Sequence, residues 1–310
     1  MIVVCGEALV DMVRSADGAQ RVAPGGGPFN TARALARLGI PAAFLGHLST
    51  DPFGRELEAR LREDGVDLRF ASFGPEPSTI AIADVDSNGR AVYHFEVDGT
   101  SAPNLTQEMV PEEFGPDVQA LHVGSLGLAL EPMASTVAGL VARERGKRFV
   151  MVDPNVRPGL GREDEYRARL ETVISASTLV KASDEDLAWL YPRVDLVQAA
   201  MSILDDGPRA VVVTLGADGA LAFHRDISVR VAVARVEVVD TIGAGDAFGA
   251  ALLAWLADQH CLGPQFALDE AEVRAALEFA CLAATVTCAR AGADPPTRQE
   301  LNSGRYQTGT

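Results

Sequence analysis

A carboxylate set at the mouth of a glycine turn is the first feature able to do chemistry. In VVDTIGAGDAFGAALLAWL (238–256), Gly243 and Gly245 flank Ala244, Asp246 follows, and an apolar run begins at once. The glycines allow unusual backbone angles and close approach by a ligand. The first amides of the helix that follows have no intrahelical acceptor, so the turn is suited to an anion such as phosphate. A purely anion-binding turn gains nothing from an aspartate. Asp246 makes sense if it takes the proton of a hydroxyl that attacks the phosphate, which is the arrangement of phosphoryl transfer. On spacing alone, Asp246 also fits a simple helix cap.

Other nucleotide and metal motifs do not fit. In G-A-G-D-A-F-G the third glycine falls one place too late for G-x-G-x-x-G, and the stretch lies far from a first βαβ unit. That spacing disfavours a nicotinamide-dependent oxidoreductase. The sequence contains neither G-x-x-x-x-G-K-[ST] nor H-E-x-x-H.

The elements that must position this turn alternate. Short apolar runs at 2–10, 42–49, 120–125, 148–155, 178–183 and 210–216 read as strands, and 230–240 (RVAVARVEVVD) as a further one. Helical patterns follow at 30–39, 51–65, near 133–146, near 163–176 and at 184–191. Asn30 reads as an N-cap, and Gly39 falls just past its helix end. The acidic starts at 163–165 and 184–186 suit a helix dipole and read as solvated. Apolar strands alternating with helices predict a mostly parallel sheet covered on both faces. AFGAALLAWLA is apolar nearly all round, which predicts a buried helix. Two segments break the pattern: 78–98, with Asn88-Gly89 as a hairpin turn, and 11–23, around Ala16-Asp17-Gly18. They read as a small accessory sheet, or else as an edge extension of the main one.

DTIGAGDAF resembles the C-terminal signature of the ribokinase-like (PfkB) sugar kinases, D-T-x-G-A-G-D-x-F, and the resemblance covers nearly the whole chain. GGGPFNTARALARLG (25–39) is similar to the N-terminal signature. GEALVD (6–11) and VDPNVRP (152–158) are similar to the fructokinase branch, VVTLGADGALAF (212–223) to the nucleotide-side strand pair, and AGADPPTRQEL to the family's C-terminal stretch.

The resemblance implies a single α/β domain over 1–310, a three-layer α/β/α fold with a β-sheet lid from about 11–23 and 76–100. It implies ATP-dependent phosphorylation of a sugar hydroxymethyl group. Asp246 would be the base, and the backbone of Gly243, Ala244 and Gly245 the anion hole. Asp11, Gly26, Gly27, Asn30 and Arg157 would meet the sugar. Lys181, Ser183, Thr214, Gly216, Gly219 and Cys281 would lie on the nucleotide side. Asp186 would serve Mg²⁺ through water, and Asp240 and Thr241 a monovalent cation, with K⁺ the candidate. Three positions depart from the family pattern. N-x-x-E reads Ser183-Asp184-Glu185-Asp186, Cys281 stands where an asparagine is common, and no tryptophan follows D-P-N-x-R-P.

Among sugars, fructose comes first. The lid stretch YHFEVDGTSA (93–102) has no arginine to clamp a carboxylate and carries Glu96 and Asp98. 2-Keto-3-deoxygluconate, other sugars and nucleosides are the alternatives, with Arg33 or Arg157 able to supply a clamp. A sugar- or nucleotide-binding regulator without catalysis is the alternative outside enzymes, and the presence of Asp246 argues against it.

Composition sets the remaining bounds. The 310 residues carry a net charge of −16, with 47% hydrophobic and 23% charged residues. This is globular composition, and its charge repels nucleic acid. The four cysteines form no C-x-x-C and read as reduced thiols. The first residues read as too short an apolar run for a signal peptide, and no stretch is long enough to span a membrane. These features predict a cytoplasmic protein that takes small ligands, and the family resemblance adds a homodimer through the lid.

Overall fold

A computed structural model describes residues 1–15, 20–85, 91–160, 162–234 and 236–303. The turns expected at Ala16-Asp17-Gly18 and Asn88-Gly89 lie outside these residues.

The main sheet has eight strands. In chain order they are β1 (Ile2–Cys5), β4 (Ala42–Leu45), β9 (Ala120–Gly124), β10 (Phe149–Asp153), β11 (Leu179–Ser183), β12 (Ala210–Thr214), β13 (Ala220–His224) and β14 (Ile227–Val231). Their spatial order is β14-β13-β12-β11-β10-β9-β1-β4. The six from β12 to β4 pair in parallel, and β13 and β14 extend one edge antiparallel. Along each buried strand, successive side chains feed opposite faces. Ile2, Val4, Phe149, Met151 and Leu179 enter one core, while Val3, Cys5, Val150, Val152 and Val180 enter the other.

On the first face lie α1 (Gly27–Arg37), α2 (Pro52–Glu63), α7 (Ala244–Asp258) and α8 (Glu270–Cys288), with the short α9 (Arg298–Asn302) beside them. The second face is covered by α3 (Met133–Glu144), α4 (Glu163–Ser175), α5 (Asp184–Leu190) and α6 (Leu196–Asp205). Burial of α7 is as expected: Ala247 to Ala254 and Leu256 are buried without a break in the first eight. No helix among the described residues is long and apolar enough to cross a membrane.

A second, four-stranded sheet has the order β3-β2-β7-β8, from β2 (Leu9–Ser15), β3 (Gln20–Gly25), β7 (Ile80–Val85) and β8 (Ala91–Glu96). It is made of the two interrupting segments, each an antiparallel pair, joined through a parallel β2–β7 pairing. It is therefore a separate sheet and not an edge extension. The strand expected over 42–49 breaks at Gly46. Its second part, β5 (His47–Ser49), leaves the main sheet and pairs with β6 (Ser72–Gly74).

Two local expectations are corrected. RVAVARVEVVD is not a strand beyond Val231: among the described residues, 232–242 hold no strand, and Val238 and Val239 are each 60% exposed. Alternating valines imitate a half-buried strand, but no neighbouring strand pairs with this segment. It is tied instead by the amides of Val239 and Asp240 to the carbonyl of Cys288. Asn30 is not a cap either. Gly26 holds that position, with proline in the first turn, and Asn30 lies one turn inside α1, buried.

Candidate active site

The carboxyl ends of the parallel strands, the start of α1, the start of α7 and the inner face of the small sheet enclose a cavity of about 990 Å³. This is where ligands enter open α/β sheets.

Gly243 caps α7 in a left-handed conformation, φ 77°. A Cβ there would stand 2.7 Å from Cβ of Ala293, so neither backbone nor space admits a side chain. Ala244 donates its amide to the Thr241 carbonyl at 3.2 Å. The amides of Gly243, Gly245 and Asp246 have no acceptor among the described residues and remain for an anion. The Ala244 amide is therefore not a free donor of the expected anion hole.

Asp246 lines the cavity and is half-buried. Its Oδ2 accepts from Nδ2 of Asn30 at 2.9 Å. The Oδ1 of Asn30 is buried without a partner among the described residues, which leaves an acceptor for a substrate hydroxyl. Burial pushes the Asp246 carboxyl up to about 6; the Asn30 hydrogen bond opposes this, Asp153 adds to it, and Lys181 and Arg157 pull the other way. A base with that pKa is free of its proton at neutral pH and still holds one well.

Gly27 sits where three groups converge. A Cβ would stand 3.3 Å from Nδ2 of Asn155, 3.4 Å from Oδ1 of Asp246 and 3.4 Å from Cβ of Ser125. Glu7 floors the same corner, its carboxylate accepting from the amides of Gly27 and Gly127, both at 3.1 Å. Burial pushes Glu7 up to about 7, against those hydrogen bonds. Asp11, on β2, also lines the cavity; burial raises it to about 6, with Arg157 and Arg21 pulling down and Asp240 pushing up. Arg157 and Lys181 line the cavity too. Lys181 is no surface charge: it is buried and paired with Asp153 at 2.7 Å.

The nucleotide-side residues divide. Ser183 and Thr214 face one another across the β11–β12 pair at the carboxyl edge, and Gly216 and Gly219 follow in the turn to β13. None of the four lines the cavity itself. Cys281 is corrected: it lies on α8 among buried apolar side chains, burial raising its thiol to about 11, and it is a packing residue of the core.

Asp186 is corrected as well. It is buried, with Oδ1 accepting from the Val156 amide at 2.7 Å and Oδ2 from the Ser183 amide at 2.8 Å, a capping box that starts α5. Both oxygens are thus engaged, and the acidic start of this helix is not fully solvated. Its neighbour Glu185 is exposed and lines the cavity. No cluster of three or more His, Cys, Asp or Glu able to hold a metal occurs among the described residues. Residues at this cavity therefore fit a metal that arrives with a polyphosphate, not one held by the protein alone. Asp240, expected beside a monovalent cation, is already partly engaged. Its oxygens accept from the amides of Ile242 and Gly292, and the Arg21 guanidinium sits 3.0 Å away. Thr241 lines the cavity beside it.

Arg33 is also removed as a carboxylate clamp, being held at 2.6 Å by Asp64. Glu96 and Asp98 are absent from the cavity's lining, where the small sheet contributes Leu9, Asp11, Met12, Val13, Ala81, Ala83, His94 and Phe95. The acidic-lid argument against an acid sugar therefore falls away, although among the described residues no arginine of that sheet lines the cavity.

Sequence reasoning missed Glu7, Ser125, Asn155 and Asp153. Ser125 and Asn155 adopt φ of 55° and 40°, rare for residues with a side chain, directly after β9 and near the end of β10. Asn155 lies within a quoted motif and could have been found there. Glu7 and Asp153 also lie within quoted motifs, GEALVD and VDPNVRP, while Ser125 gave no local signal.

The model for the pfkB family carbohydrate kinases matches residues 1–300. A fructokinase from Rhizobium leguminosarum bv. trifolii is 40% identical over 281 residues, covering 88% of this chain and 86% of that one. A fructokinase crystal structure from Xylella fastidiosa with bound ATP superposes with a TM-score of 0.89 at 27% identity, covering 97% of each chain. A Vibrio cholerae fructokinase with fructose, ADP and calcium bound gives 0.86 at 29% identity, again covering 97% of each. With its two signatures meeting at one cavity, and this match along nearly its full length, the chain belongs to the pfkB family of carbohydrate kinases.

Proposed function

We propose that the protein is an ATP-dependent fructokinase that transfers the γ-phosphoryl group to a hydroxymethyl oxygen of fructose. The observation that carries this reading is the meeting of Asn30 and Asp246 at the first turn of α7, inside the cavity. The sugar hydroxyl sits against Asp246, with Asn30, Asp11 and the backbone at Gly26 and Gly27 holding its neighbours. Its oxygen forms the new bond to the γ-phosphorus as the bond to the β-phosphate bridging oxygen breaks. Its proton passes to Asp246, and ADP leaves. The amides of Gly243 and Gly245 and the Lys181 ammonium meet the charge on the migrating group.

Mg²⁺ supplies charge neutralisation for the triphosphate. Glu185, at the cavity lining, is the carboxylate suited to meet it through water, in place of Asp186. The nucleotide extends from the α7 turn along Ser183, Thr214, Gly216 and Gly219. The small sheet acts as a lid that keeps water from the transfer, and the Arg21–Asp240 ion pair ties it to the approach to α7. Its outer strands β3 and β8 leave edges for a second copy of the chain, the homodimer that the family resemblance implies.

The reading is tested by ATP consumption with fructose, ribose, 2-keto-3-deoxygluconate, nucleosides and inositol derivatives. Fructose is expected to give the highest kcat/KM; preference for an acid sugar or a nucleoside would move the assignment within the family. No ATP consumption with any of them, alongside intact sugar binding, would favour a non-catalytic regulator.

A further inference from the structure

Beneath the Gly243–Asp246 turn lies a buried ion pair. Asp153 ends β10 and Lys181 stands at the centre of β11. Lys181 Nζ donates to Asp153 Oδ2 at 2.7 Å, and the side chains are only 6% and 7% exposed respectively. Strand alternation turns both toward the layer that contains α7, since Phe149, Met151 and Leu179 pack into that core. A Cβ on Gly245 would stand 3.3 Å from Nζ, so the ammonium lies directly against the turn.

The pair is a costly way to join two strands. Two apolar side chains would hold them as well or better. Asp153 Oδ1, moreover, is buried with no hydrogen-bond partner among the described residues. A lone lysine at this depth would shed its proton. The carboxylate makes sense if a charged ammonium is needed at the turn.

We propose that Asp153 is a positioning residue for phosphoryl transfer, keeping the Lys181 ammonium charged and aimed at the Gly243–Asp246 turn. This rests on the reading of Asp246 as the base. Burial works against the charge of Lys181, and Asp153, with Asp186 from α5 and Asp246 from α7, outweighs it, leaving Lys181 above its ordinary value. His122 on β9 adds no charge, because burial, with Lys181 contributing, holds it down to about 3. Without the Asp153 charge, burial gains the upper hand and the ammonium loses its proton at lower pH.

The test is Asp153→Asn, checked for folding by circular dichroism, with kcat and KM measured from pH 6 to 10. At pH 7–8, kcat should fall by roughly ten- to a hundredfold with KM for fructose little changed. An alkaline limb should enter the profile below the pH at which wild type shows any. Asp153→Glu should restore part of the rate and push the limb back up. Lys181→Gln should lose a similar factor with no such limb. Wild-type kcat in folded Asp153→Asn, or a uniform loss with no displaced limb, overturns the proposal. If that variant does not fold, wild-type kcat in Lys181→Gln overturns it. Failure of the base assignment reads out separately, as turnover surviving in Asp246→Asn.

Discussion

Asn30 and Asp246, 216 residues apart in the chain, share a 2.9 Å hydrogen bond that joins the first turns of α1 and α7. One amide thus serves two ends: Nδ2 fixes the orientation of the carboxylate, and Oδ1 remains as an acceptor beside it. The two signatures of the family meet at this contact.

The bond sets the charge of the base. In the wild type, turnover is expected to fall below about pH 6, where burial holds the Asp246 carboxyl. Asn30→Asp replaces the favourable amide by a second carboxylate, and two like charges in contact hold a proton between them. The acid limb of the rate profile should rise by about one unit or more, with activity recovering toward pH 8–9. A limb that stays in place would show that Asn30 does not act on Asp246.

The same burial makes Asp246 a liability to the fold. Its native pKa of about 6 lies above the ordinary 3.8, so the ionised form is penalised in the native state. The penalty is absent below the unfolded pKa, grows between the two values, and is complete above the native one. Asp246→Asn keeps the acceptor for Asn30 and removes the charge. It should therefore be more stable than wild type at pH 8, on the order of 1–3 kcal/mol, with the difference gone near pH 4. Thermal melts at both pH values check this; equal stability at pH 8 would show that Asp246 is not held in a strained state of ionisation.

Gly243 is constrained both by its φ of 77° and by Ala293, whose Cβ a new methyl would meet at 2.7 Å. Gly243→Ala should cost about 1–3 kcal/mol and shift the neighbouring amides enough to lower kcat by roughly tenfold or more. Urea denaturation and steady-state kinetics measure the two effects. An unchanged kcat would mean that these amides are not what meets the phosphate.

Much of this architecture could be read from the chain because it is written in local patterns. The strand–helix alternation, the apolar α7 and the two interrupting hairpin segments each carry a periodicity of their own. What was illegible depends on distant partners. Glu7 is a floor only because Gly27 and Gly127 converge on it, and Asp153 matters only beside Lys181. Ser125 holds a positive φ that no neighbour announces. RVAVARVEVVD misled because alternation records a preference, while a strand also needs a paired edge. Asp186 misled in the same way: an acid in a helix start suggests solvent and the family resemblance adds a metal met through water, but two amides had already claimed it.

The central claim is that Asp246 takes the hydroxyl proton during transfer. The direct measurement is turnover of Asp246→Asn with fructose and ATP, paired with calorimetric binding of each ligand. Both ligands should bind about as in wild type while kcat falls by about 10²–10⁴. Bound ligands with turnover within a few-fold of wild type would contradict it.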